Sequence, residues 1–328
     1  MAVLVTGGAG YIGSHTVKYL KLHNEEVVVL DNLSKGHKEA ISQFDVAFYE
    51  GDIQDTALID KICQKHDIEG VIHFAAYSLV GESMKEPLKY YENNVLGTFK
   101  LVKSLVRNNV SKIVFSSTAA VYGEPETIPI METDKTIPTN PYGDTKLAIE
   151  RMLRWSYEAY GLNSVSLRYF NAAGADPEGQ IGEDHNPETH LIPIVLDVAL
   201  GKRDFITVFG NDYNTPDGTC VRDYIHVMDL ASAHYQALEK LKSSKGAFVY
   251  NLGNGEGFSV LEVINTTKEV TSCPIKIKIG KRRRGDPAVL VASQKTAEAE
   301  LGWIRKYSSL EKIINDAWNW HKKQPNGY

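Results

Sequence analysis

Tyr142 and Lys146 stand one i,i+4 step apart in Asn140-Pro141-Tyr142-Gly143-Asp144-Thr145-Lys146. A helix through them carries the phenol and the ammonium on one face. Asn140 is a good helix cap, and Pro141 suits the first helical position. Tyr142 is therefore expected near the positive end of a helix, beside a cation. A free phenol has a pKa of about 10, and both neighbours favour the phenolate. A tyrosine tuned this way is a general base for a hydroxyl proton near neutral pH. The pair alone is weak evidence, because Tyr-x-x-x-Lys recurs on ordinary helix surfaces. A glycine turn far upstream strengthens it.

That turn is Gly7-Gly8-Ala9-Gly10-Tyr11-Ile12-Gly13. It follows an apolar run and opens a helical pattern, the arrangement in which backbone approaches a pyrophosphate at a helix N-terminus. A second apolar run ends at Asp31, where a carboxylate would meet an adenosine ribose. Asp31 would repel a 2′-phosphate, so NAD is favoured over NADP, with Lys35 nearby to soften the repulsion. Ligands in such folds lie outside the carboxyl ends of the strands. The same rule marks Asp52 and Ile53 beside an adenine ring, and Phe74, Ala75 and Ala76, two of them small enough to let a cofactor lie against the backbone.

The elements that must position these groups alternate. Strands are expected at Ala2–Thr6, Val27–Asp31, Asp45–Glu50, Val71–Phe74, Ile113–Ser117 and Ser164–Phe170. Helices are expected at Tyr11–His23, Thr56–His66, Tyr90–Asn108 and Tyr142–Tyr160. This alternation predicts an α/β fold with a doubly wound parallel sheet. From about Asn171 the chain becomes richer in Gly, Pro, Asn and Asp. A cofactor lobe over 1–172, with a return segment near 219–232, and a smaller substrate lobe over 173–328 are the expected domains.

Composition narrows the alternatives. The 328 residues suit two lobes sharing an interface, and 43% hydrophobic with 23% charged residues is ordinary for a globular protein. A net charge of -5 argues against a general nucleic-acid binder or an acidic-membrane binder. Cys63, Cys220 and Cys273 form neither a metal spacing nor a disulfide framework, which fits a reducing cytoplasm. The apolar runs are too short to span a bilayer. Lys281-Arg282-Arg283-Arg284 is read as a diphosphate clamp through Arg283 with solvated neighbours. His185 and His190, set among Glu183, Asp184 and Glu188, are read as solvated loop residues, with no metal expected.

With these residues in view, the chain resembles the extended short-chain dehydrogenase/reductase family, and within it the enzymes that epimerise nucleotide sugars. The resemblance runs over essentially the whole chain. It is carried by Val5–His15, Leu30–Leu33, Val80–Ser83, Tyr91–Asn94, Ser116–Thr118, Tyr142 with Lys146, Arg168–Asn171 and Val221–His226. It implies a Rossmann-type fold with a smaller C-terminal α/β substrate domain, bound NAD, and interconversion of UDP-galactose and UDP-glucose at sugar C4. Tyr142 would be the base, Lys146 would order the nicotinamide ribose and hold down the tyrosine pKa, and Thr118 would bond the substrate hydroxyl. Gly7, Gly10, Tyr11, Ile12, Gly13, Asp31, Asn32, Leu33 and Ser116 would join the cofactor contacts. Asn93, Tyr169 and Phe170 would shape the nicotinamide site. Asn171, His190, Leu191, Arg222, Arg283 and Asp286 would hold the nucleotide. A homodimer through the helices near 90–108 and 142–160 would be typical.

The chain departs from the family at Ser78, where some relatives carry lysine, and at His190, where some carry asparagine. A dehydratase would need proton-transferring groups after the catalytic threonine, but Thr118 is followed by Ala119-Ala120. A silent NAD-binding scaffold is disfavoured by the presence of Thr118, Tyr142 and Lys146 together. Leu290 is aligned with the pocket wall that limits 2-acetamido groups, so plain hexoses are expected over the alternative, UDP-N-acetylhexosamines.

Overall fold

A computed structural model describes residues 1–283 and 287–328. Its first half repeats strand and helix: β1 (Ala2–Thr6), α1 (Tyr11–Leu22), β2 (Glu26–Asp31), β3 (Ala47–Glu50), α2 (Thr56–Lys65) and β4 (Ile68–His73). Then come α3 (Val80–Ser83), α4 (Pro87–Tyr90), α5 (Gly97–Arg107), β5 (Lys112–Ser116), α6 (Pro141–Tyr160) and β6 (Asn163–Tyr169). β1 and the end of β2 are buried apolar runs, as strands covered on both faces must be. α6 starts as its residues dictate. The Asn140 side chain accepts from Gly143 N at 2.9 Å, Pro141 occupies the first turn, and Gly161 closes the helix in the left-handed conformation.

The expected single helix over Tyr90–Asn108 is instead interrupted. Tyr91–Leu96 is a π-helical segment between α4 and α5. The Thr98 hydroxyl donates to Asn94 O at 2.6 Å, competing at the carbonyl an α ladder would use. The Asn94 side chain then pins the backbone of Tyr77 from both sides, at 2.9 and 3.0 Å. Such interruptions are frequent where a helix serves a site.

The second half holds β7 (Asn171–Ala173), α7 (Leu191–Ala199), β8 (Ile206–Phe209), β9 (Val221–His226), α8 (Val227–Ser243), β10 (Ala247–Leu252) and β11 (Gly257–Ser259). It ends with α9 (Val260–Thr271), β12 (Ile277–Gly280), β13 (Val289–Leu290), α10 (Lys295–Leu301) and α11 (Leu310–Lys323). The main sheet has the order β3-β2-β1-β4-β5-β6-β10, all parallel. The returning chain therefore runs further than 219–232. α8 packs on α1, and β10 pairs with β6 from Ala247↔Ser164 to Leu252↔Tyr169.

One apolar core lies between the sheet and α1 with α8, including Val17, Leu20, Leu230 and Leu238. The other lies between the sheet and α2, α5 and α6, including Ile59, Leu101 and Leu153. β9 belongs to a small separate sheet with β7, β11 and β13. That sheet abuts the carboxyl edge of the main one, because β7 follows β6 after a single residue.

Candidate active site

Expected contacts fall at the carboxyl end of each strand in the first half, Gly7 after β1, Asp31 ending β2, Asp52 after β3, Phe74 after β4, Thr118 after β5 and Phe170 after β6, while Asn93, Tyr142 and Lys146 lie on helical segments. The glycine turn is pressed between its neighbours. Gly7 has φ +72, and a side chain there would meet Ala75 N at 2.6 Å. At Gly13 it would meet Gly7 O at 2.1 Å. Only glycine permits both the backbone sign and the approach. Gly10 caps α1 without any side-chain bond, which leaves first-turn amides pointing out beside Tyr11 and Ile12.

The buried Asp31 carboxylate accepts from Ala9 N at 2.9 Å and Leu33 N at 2.8 Å. Each oxygen keeps a lone pair for a ribose hydroxyl. Burial raises the Asp31 pKa, and these two amides offset only part of the rise. Asn32 donates to Asp52 at 2.8 Å. Lys35 is drawn to Asn186 O at 3.0 Å. A close-packed glycine turn, open amides and a hydrogen-bonding acid form a cradle that fits a dinucleotide. Ile53 follows Asp52 beyond β3. It is buried in the core, against Gly97 at the start of α5.

Tyr142 and Lys146 share a face of α6, with the Lys146 ammonium 5.9 Å from the phenol ring centroid. Lys146 Nζ donates to Ser116 O at 2.7 Å and sits 4.9 Å from the Phe115 ring. The Thr118 hydroxyl accepts from Ala120 N at 3.2 Å and lies close enough to the Tyr142 phenol to lower its pKa. Ser116 bonds the Tyr169 hydroxyl, which packs the floor of the site. Asn93 donates to Asn94 at 2.9 Å, inside the π-helical segment. Burial changes the electrostatics expected from spacing alone. It raises the Tyr142 pKa, against the lowering by Thr118, and it drops Lys146 to about 7 despite the pull of Glu150. In the protein by itself the phenol holds its proton at neutral pH, because its desolvation outweighs the help from Thr118.

A buried network missed in the sequence braces this pair. Glu150 follows Lys146 by one further turn, the one signal that could have found it. Its carboxylate holds Arg168 through Nε at 3.0 Å and Nη2 at 2.6 Å, and accepts from Ser117 at 2.5 Å. Arg168 Nη1 donates to Tyr122 Oη at 2.8 Å, and Tyr122 donates to Asn251 of β10 at 2.7 Å.

The second half supplies a different chemistry. Asn171 Nδ2 donates to Asp223 O at 3.0 Å. Arg222 lies on β9 opposite Leu290 of β13, so Asn171, Arg222 and Leu290 share the small sheet. Leu290 joins an apolar cluster with Ala119 and Phe170, next to Thr118. Arg283 stacks its guanidinium 4.0 Å from the Phe209 ring centroid and lines a cavity of about 580 Å³ with Arg282, Tyr213 and Val289. Asp286 lies outside the described residues.

Leu191 begins α7 and His190 precedes it as the N-cap residue, but the His190 ring is committed to Glu183 at 2.5 Å. Glu183, His185, Glu188 and His190 are gathered in one cluster rather than dispersed in solvent. There burial would lower His185, but Glu183 and Glu188 raise it to about 10.

Residues 3–253 match the NAD dependent epimerase/dehydratase family. The chain belongs to that family. It is 63% identical to a UDP-glucose 4-epimerase of Halalkalibacterium halodurans, covering 100% of this chain and 98% of the relative. A crystal structure of a UDP-glucose 4-epimerase superposes with a TM-score of 0.98 at 54% identity, covering 100% of this chain and 99% of that one. The Bifidobacterium longum UDP-glucose 4-epimerase in complex with NAD+ and UDP superposes with a TM-score of 0.95 at 42% identity, over 100% of both chains. The parallel sheet with helices on both faces is the Rossmann-like architecture these structures share. No helix among the described residues is long and apolar enough to cross a membrane.

Proposed function

We propose that this chain is an NAD-dependent 4-epimerase that interconverts UDP-galactose and UDP-glucose, with Tyr142 as its proton acceptor. The observation that carries the reading is the meeting of Thr118, Tyr142 and Lys146 at the mouth of a dinucleotide cradle. The family and its relatives supply the sugar nucleotide.

Bound NAD would store the C4 hydride and give it back, so no net redox change accumulates. The Tyr142 phenol, shifted toward phenolate when cationic charge collects beside it, takes the proton of the 4-hydroxyl while Thr118 holds that oxygen. Lys146 stays between the Ser116 carbonyl and the ribose it would bind. The sugar, now a 4-ketone, turns over; Tyr142 then returns its proton to the oxygen as the C–H bond reforms on the opposite face.

Anchoring belongs far from the reacting carbon. Arg222, Arg283, Asp286 and Asn171 would fix the nucleotide, leaving the hexose loosely held. Arginine suits that place because its planar fork meets two phosphate oxygens at once. The lobe over 1–172, extended by α8 and β10, would carry NAD, and the rest would carry the sugar nucleotide.

Purified protein incubated with UDP-galactose, no cofactor added, should form UDP-glucose steadily toward an equilibrium mixture. Absence of conversion even after NAD is supplied would sink the reading. The bulk of Leu290 beside the Thr118 pocket should also disfavour a 2-acetamido group. Conversion of UDP-N-acetylglucosamine is expected to be at least about tenfold slower than that of UDP-galactose, a loss of about 1.4 kcal/mol in transition-state binding. Comparable rates in parallel assays would remove Leu290 from the specificity argument.

Leu96, Phe99 and Trp155 expose apolar surface on the paired helices α5 and α6 and the turn before them. A patch of this kind marks a partner surface, and we assign it to a second copy of the chain. Trp155→Glu should halve the mass seen by sedimentation; an unchanged mass would place the contact elsewhere. A cytoplasmic setting suits the three free thiols.

A further inference from the structure

Two imidazoles and two carboxylates converge in the segment that leads into α7. Nδ1 of His190 lies 2.5 Å from Glu183 Oε1 and 3.5 Å from Glu188 Oε1. Nδ1 of His185 lies 3.2 Å from Glu183 Oε1 and 3.6 Å from Glu188 Oε2. The four donor atoms are all within 4.8 Å of one another. Glu183 is almost fully buried, and the side chain of Glu188 is only 12% exposed. His185 Nδ1 is shielded from solvent yet outside hydrogen-bond geometry.

Zinc holds nitrogen and oxygen ligands at about 2.0–2.2 Å, which sets tetrahedral ligand atoms about 3.3–3.6 Å apart. Three of the four nitrogen–oxygen separations are already close to that edge. The charge also balances: two carboxylates and two neutral imidazoles cancel one divalent cation, whereas a buried pair of carboxylates alone would be costly.

The backbone around the cluster is held from outside. Asp184 O meets His37 Nε2 at 3.3 Å, and Asp184 Oδ2 accepts from Tyr328 N at 3.0 Å. Lys35 holds Asn186 O. The ring of Tyr11, at the start of α1, meets the His185 ring edge-on with centroids 6.1 Å apart.

We propose that Glu183, His185, Glu188 and His190 form a tetrahedral site for a divalent cation of the zinc class, which fixes the shape of this segment beside the glycine turn. The role is structural: the ion closes the segment 183–190 on itself at the entry of α7 and takes no part in hydride or proton transfer.

Protein purified without a histidine tag, equilibrated with Zn2+ and stripped of excess, should retain one zinc per chain by elemental mass spectrometry. Co2+ in its place should give the intense visible absorption of a tetrahedral site. Zinc should raise Tm of the parent and leave Tm of a Glu183→Gln/His185→Gln variant unmoved. If that double variant does not fold, Glu188→Gln alone should weaken retention and lose the cobalt band. Substoichiometric zinc, a weak octahedral cobalt spectrum, or an equal Tm shift in parent and variant would overturn the site and leave a cluster of protonated histidines paired with carboxylates.

Discussion

Replacing Tyr142 with phenylalanine is expected to lower kcat by about 10²- to 10⁴-fold, the usual worth of a positioned general base. NAD should stay bound. The substitution removes one hydroxyl and keeps the ring against which Lys146 sits. The glycine turn and Asp31 are on other strands and are untouched. KM for UDP-galactose should change little, because the nucleotide anchors lie across the small sheet. A loss confined to kcat is the mark of an interaction made in the transition state. Steady-state assays with a cofactor absorbance measurement on the same sample decide it. Near-normal turnover would take Tyr142 out of the mechanism, and loss of the cofactor would show a fault in binding instead.

Arg168→Met should cost about 3–5 kcal/mol of stability, the typical result of removing one partner from a buried ion pair. Arg168 and Glu150 are each about 6% exposed, and among the described residues their bidentate contact, with Lys146 beside it, compensates the Glu150 charge. The change also strips Tyr122 of its partner on Arg168, and so loosens its tie to Asn251. Denaturant titration measures the loss. The double variant Glu150→Gln/Arg168→Met should recover part of it, because no uncompensated charge remains. A single variant within about 1 kcal/mol of the parent would show that the pair contributes little beyond packing.

Much of this architecture was legible in residue types, and the failures have physical causes. α6 could be read from Asn140 and Pro141 because capping is a local matter. The strand ends could be read because buried parallel strands are short apolar runs. The π-helical segment could not: Asn93 and Asn94 fit an α period as well, and the Thr98 hydroxyl that reroutes the ladder shows its effect only once folded. β10 was missed because its partner β6 is far away in sequence, and pairing at that distance leaves no local trace. The sign of the Tyr142 shift differs from expectation for a similar reason. Spacing reveals neighbours but not burial, and burial is the larger force here. His185 and His190 looked like solvated loop residues until the fold brought both onto Glu183.

The position of β10 sets the order in which the molecule can be completed. During synthesis, everything through β6 leaves the ribosome long before Ala247–Leu252. Until then the edge of β6 offers unpaired backbone amides and carbonyls, and the face of α1 that α8 covers stays wet. An open edge beside uncovered leucines invites pairing with other chains. A chain stopped after Asn171 should therefore aggregate, which light scattering would reveal, although it carries the glycine turn, Asp31, Thr118, Tyr142 and Lys146. The catalytic groups are encoded early, yet their scaffold closes late.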